Sequence, residues 1–223
     1  MFNNKERKEE RLRATEGNII SASQYNIAIG GITIYGLVMN AILAYTATTF
    51  MSKVNPVAFL LIYIACAFAG AYIAHRSKSP LMSFVGYNLI AVPIGLLLSL
   101  ILPFEDPGVI ASAFLATAVV TALMIVMAIM MPHIFEKMGP VLFVALFAGV
   151  IVELIASLLG YGGDIFNWFF VTIFSLYIGY DWYRAQQYPK TLDNAVDCAL
   201  DLYLDIINLF LRLLEIFGSS KRK

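Results

Sequence analysis

Apolar positions in this chain run in unbroken blocks rather than along one face of each helix. No charged side chain interrupts 56–74, 80–104, 107–132 or 141–152. At 1.5 Å rise per residue, blocks of about 20 residues match the roughly 30 Å of bilayer hydrocarbon. Breakers divide them: Asn55–Pro56, Ser79–Pro80, Pro103 with Pro107–Gly108, Pro132, Gly139–Pro140, the turn from Gly160 to Asp164, and Pro189. The pattern predicts helices near 24–51, 56–75, 80–102, 108–131, 140–160, 165–184 and 192–217. With connections this short, the expectation is an all-α membrane protein, one seven-transmembrane-helix bundle over 23–218. A polar tail, 1–22, precedes it and a basic tail, 219–223, follows.

Composition agrees, with 60% hydrophobic and 13% charged residues against about 25% charged in soluble domains. Net charge is zero, so no basic field argues for nucleic acid. The basic residues are segregated. Lys5, Arg7, Lys8, Arg11, Arg13, Arg76, Lys78, Lys137, Arg184 and Lys190, ten of fifteen, fall on the side of the amino terminus. Lys53, Glu105, Asp106 and Asp164 fall on the other. The positive-inside rule then predicts a cytoplasmic amino terminus. Lys221, Arg222 and Lys223 oppose this, because seven spans put them outside. The polar residues 1–22 do not read as a cleavable signal. Cys66 and Cys198 sit in apolar helical context and read as small buried hydrophobes.

The exception to the apolar pattern is the last segment. Asp193, Asp197, Asp201 and Asp205 recur every four residues, a slowly drifting stripe at 100° per residue. If Asp193 and Asp197 stay in water, hydrocarbon begins near Cys198 and Asp205 lies roughly 10 Å inside it. A central Asp costs roughly 2.5–3.5 kcal/mol on insertion scales, so Asp205 calls for a role. The preceding segment runs the opposite way and puts Asp181 at similar depth. Consecutive helices are usually neighbours, so the two acids can meet. Two carboxyls in contact at low dielectric cannot both ionise cheaply, and they share one proton. Such a pair is a proton-sensitive latch, and calcium, which favours oxygen ligands, can replace the proton. Arg76 is a possible counter-charge.

The stretches "IFSLYIGYDWYRA" and "ALDLYLDIINLFLRLLEIFG" resemble the signature of the transmembrane Bax-inhibitor-motif family, in its bacterial, YetJ-like branch. The resemblance is sharp over 172–218 and weaker elsewhere. It implies a seven-helix bundle with the C-terminal helix central, in a bacterial cytoplasmic membrane. It implies a pH-sensitive calcium leak controlled by an aspartyl pair at Asp181 and Asp205. A basic latch from the second helix is also implied, best matched by Arg76, with His75 and Lys78 as rivals. The chain departs from the branch in lacking an acid in "YIACAFAG" and in carrying Glu153 and Asp201.

Glu153 and Asp201 are candidates for the ion path, Glu153 with the alternative of a protonated group bonded to a neighbouring helix. Arg212 and Glu215, one turn apart, are expected to pair with each other. Glycines 30, 31 and 36 and the small residues of 111–122 are expected at close helix contacts. Tyr161, Trp168, Tyr180, Trp182, Tyr183 and Tyr188 read as interfacial belts, and the nine methionines as packing. No cofactor is expected beyond calcium as the transported or bound ion. The expected partners are calcium, protons, the lipid bilayer and other membrane proteins. One competing reading is a non-transporting regulator that binds membrane proteins or a membrane protease. Another is an intramembrane aspartyl hydrolase, for which Leu-Tyr-Leu ahead of Asp205 is the wrong context and "YGGD" at 161–164 lies in an outer loop. His75 and His133 form no metalloprotease motif. The expectation is therefore a non-enzyme.

Overall fold

The computed structural model describes residues 19–161 and 163–222. The basic side chains of the tail up to Arg13, and Lys223, lie outside them. Seven long helices follow in order: α1 (Ala22–Thr46), α2 (Pro56–Arg76), α3 (Pro80–Leu98), α4 (Pro107–Met130), α5 (Gly139–Leu158), α6 (Asp164–Gln187) and α7 (Leu192–Arg222). Single turns at Thr48–Met51, Leu102–Phe104 and Pro132–Phe135 link some of them, and no strand occurs among the described residues. Helices α1, α2, α4 and α5, and α3 with its turn to Phe104, are long and apolar enough to cross a membrane. This is an integral membrane protein. Helices α6 and α7 are as long but carry charges within their spans, Asp181 and Arg184 in α6 and Asp201, Asp205 and Arg212 in α7.

The breakers act as caps. Asn55 accepts from Val57 N (2.9 Å) and Ala58 N (3.1 Å) just before Pro56. Asp106 accepts from Gly108 N at 2.8 Å ahead of Pro107, and Ser21 forms a capping box with Gln24. Each pairs a side-chain oxygen with orphan amides, and Pro56 and Pro107 sit where a missing N–H costs nothing. Gly160, at φ 79°, ends α5 in the left-handed region that glycine enters freely. Several expected ends move: α1 stops at Thr46 instead of 51 and α3 at Leu98 instead of 102, while α6 continues to Gln187 and α7 through Arg222 instead of ending at 184 and 217.

Outward faces are apolar: Leu61, Phe68, Phe143, Val144 and Phe147 are each more than 60% exposed. In water such faces would aggregate; in lipid they meet their own kind.

Contacts divide the chain into two compact units. The first comprises the chain to Ser99 and residues 187–200. In it α2 crosses α3 closely, since a Cβ on Gly70 would lie 2.6 Å from Gly86 O. Tyr87 donates to Ile32 O at 3.0 Å, joining α3 to α1. The start of α7 is tied here through Ser83, which donates to Asp193 Oδ1 at 2.7 Å. Gly30 and Gly31, expected at close contacts, face open space. The close approaches fall instead at Gly70, Gly86 and Gly95. Asp197, expected in water, is 6% exposed.

The second unit comprises residues 100–186 and 201–223. In it Gly179 of α6 lies under the Phe135 ring, Gly139 under Tyr180, and Gly149 of α5 under Phe169. Small residues let aromatic side chains seat between helices here, in place of the backbone contact that α2 and α3 make.

Candidate proton and cation site

Helices α6 and α7 run antiparallel, and polar pairs punctuate their seam. Ser219 donates to Asp164 Oδ1 at 3.1 Å. Arg212 Nη1 donates to Asn167 Oδ1 at 2.9 Å. Asp181 faces Asp205 in hydrogen-bonding contact, and Arg184 Nη2 donates to Asp201 Oδ2. The residue numbers of each pair sum to 383, 379, 386 and 385. A near-constant sum is the mark of one antiparallel register held along the whole seam. On α6, residues 167, 174 and 181 recur every seven, and so do 205 and 212 on α7. Seven residues return a helix to nearly the same face.

The first cluster is the meeting of Asp181 and Asp205. Each residue is only 7% exposed, and their carboxyls touch. Asp181 Oδ1 and Asp205 Oδ2 are buried with no hydrogen-bond donor aligned on them. Asp181 Oδ1 has a charge contact, Arg184 Nη2 at 3.1 Å, without the geometry of a hydrogen bond. The same guanidinium bonds Asp201 across the seam, and it lies 5.6 Å from the Tyr180 ring centre. Three carboxyls thus gather around one guanidinium. At low dielectric that excess of negative charge is costly unless a proton or a cation joins it.

The second cluster is balanced. Arg212 of α7 forks onto Glu153 of α5, Nη1 to Oε1 at 2.5 Å and Nη2 to Oε2 at 2.8 Å. Its planar face lies 4.3 Å from the Phe170 ring centre. One cation meets one anion bidentately, with Asn167 completing the donor's geometry. This corrects the expected Arg212–Glu215 pair: Glu215 is exposed, and Arg212 turns inward to a different helix. Both Glu153 oxygens are taken by the fork.

Arg76 belongs to the first unit; its guanidinium lies 5.6 Å from the Tyr72 ring centre and the residue is exposed, as are His75 and Lys78. Asp201 is drawn into the carboxyl cluster by Arg184. Sequence reasoning counted Arg184 only among the basic residues on the side of the amino terminus. Its spacing of three residues from Asp181, one helical turn, was the available signal.

An integral membrane protein with two acids in contact on consecutive helices defines a narrow class, and the comparisons agree. The chain belongs to the family described as inhibitor of apoptosis-promoting Bax1, which it matches over residues 23–222. It is 34% identical over 142 residues to an uncharacterized protein of Helicobacter pylori (strain ATCC 700392 / 26695), covering 61% of this chain and 60% of the relative. It is 29% identical over 157 residues to the Golgi anti-apoptotic protein of Vaccinia virus (strain Lister), covering 67% of this chain and 63% of the relative. The matched segment thus spans about three fifths of these relatives' length.

Proposed function

We propose that this protein is a pH-sensitive calcium leak of a bacterial cytoplasmic membrane, controlled by the Asp181–Asp205 pair and non-enzymatic. In this reading the chain crosses seven times from a cytoplasmic amino terminus, with α7 at the centre. Helices α6 and α7 can span despite their charges because those charges face one another along the seam rather than lipid. The observation that carries the proposal is the contact of two buried carboxyls, with the partly exposed guanidinium of Arg184 beside them. A shared proton holds the two helices together there; when it leaves, repulsion loosens the seam.

Calcium enters this account as cargo. It prefers six to eight oxygen ligands, and two carboxylates supply at most four. Among the described residues no three His, Cys, Asp or Glu side chains gather as a metal-binding group. A site that leaves two to four of its ligands to water and carbonyls binds weakly enough to release, as conduction requires.

The test is calcium influx into dye-loaded liposomes containing the purified protein and no partner, read across a pH series. The proposal predicts influx that switches with pH. Folded protein giving no influx at any pH would overturn it in favour of a regulator that acts by binding other membrane proteins.

A further inference from the structure

We infer that Arg184, anchored by Asp201, is the basic group that positions the Asp181–Asp205 pair, a role that rests on the pair being the proton-sensitive element proposed above. Arg184 is one turn beyond Asp181 on α6 and reaches across the seam to Asp201, one turn before Asp205 on α7. A single guanidinium therefore touches both helices that carry the pair, and touches one member of it at 3.1 Å. Both contacts run through one nitrogen, Nη2, on a planar guanidinium that presents its donors in a fixed arrangement, which a lysine ammonium does not. Asp201 holds that guanidinium on the α7 side. Removing Asp201 would leave Asp181 and Asp205 as the carboxyls of this cluster that face the guanidinium.

The titratable groups that face one another here are Asp181, Arg184, Tyr177 and Tyr180 from α6, and Asp201 and Asp205 from α7. The segment packed against this part of α6 contributes Phe135 and Gly139, while its His133, Glu136 and Lys137 are exposed. Arg184 is thus the one cation in that set. Its side chain is 35% exposed, so solvent screens part of its field, and the effect should weaken with salt.

A nearby cation favours the ionised form of a carboxyl and a nearby anion favours the protonated form, by about one pH unit or more at these distances. The two ends of the anchor should therefore act in opposite directions. The experiment follows the protonated-carboxyl C=O stretching band of purified protein by infrared spectroscopy through a pH titration, with calcium influx measured on the same variants. Arg184→Gln should move the band's midpoint up by about one pH unit, and Arg184→Lys should restore at least half of that. Asp201→Asn should move it down, because it removes an anion and releases the guanidinium toward Asp181. Arg76→Ala should leave it in place. Opposite shifts in the band without any influx would keep the positioning role and sink the leak. A midpoint that follows Arg76→Ala and ignores Arg184→Gln, or the absence of any titrating carboxyl, would overturn the inference.

Discussion

The two charged clusters of the second unit lie on the same helix face about 10 Å apart, seven residues at 1.5 Å each, and they are built on opposite principles. At Glu153–Arg212 one anion meets one cation in a two-pronged fork, with Asn167 on a third helix. The charges cancel, and both carboxylate oxygens accept from the guanidinium. At Asp181–Asp205 three carboxyls share one guanidinium, and two of their oxygens have no aligned donor. A balanced cluster resists change because breaking it exposes a charge. An unbalanced one needs a mobile ion to complete it, so its state follows the solution. One cluster is balanced and the other carries an excess of carboxyls.

The largest effect should come from removing one side of the balanced cluster. Arg212→Ala leaves Glu153, 29% exposed, with its carboxylate uncompensated between helices. It should cost about 2–4 kcal/mol of stability, read as a lower melting temperature in detergent. Replacing both partners together, Glu153→Gln with Arg212→Gln, should recover at least half of that loss, because no unpaired charge remains. A double variant no better than Arg212→Ala would show that shape rather than charge balance matters at this level. The smallest effect belongs to Glu215→Gln. It is exposed and makes no pair with Arg212, so it should change stability by less than about 0.5 kcal/mol. A loss as large as that of Arg212→Ala would restore the pairing of neighbours that the structure replaces.

That replacement shows where the sequence stops being informative. Helix positions were legible because proline, asparagine and aspartate mark their starts and charge-free runs mark their lengths. The contact of Asp181 with Asp205 was legible too, from matched depth on consecutive antiparallel helices. Arg212 was misread because a neighbour three residues away is visible in the sequence and Glu153, 59 residues away, is not. The face angle held the missing information: Arg212 follows Asp205 by seven residues and so points with it, whereas Glu215 turns about 60° further toward the rim. Asp197 was assigned to water from the acidic run that contains it; its burial depends on packing around the start of α7, which a stripe of charges does not encode. The glycines at 30 and 31 teach the same lesson, since a small residue permits close approach without requiring it.

In the proposed leak, contact and burial, not acidity alone, make Asp205 the controlling group. Asp205→Asn keeps size and an acceptor oxygen but removes the ionisable proton. Asp193→Asn makes the same change in the same acidic stripe, at a half-buried carboxylate bonded to Ser83, and the amide oxygen can still accept that bond. Calcium influx into liposomes measured side by side over the pH series separates them. The predicted result is that Asp205→Asn inserts and folds but loses the pH-dependent part of the influx at least tenfold, while Asp193→Asn stays within about twofold of the unaltered protein, differences of about 1.4 kcal/mol or more and about 0.4 kcal/mol. Equal behaviour of the two variants, whether both active or both silent, would contradict the account.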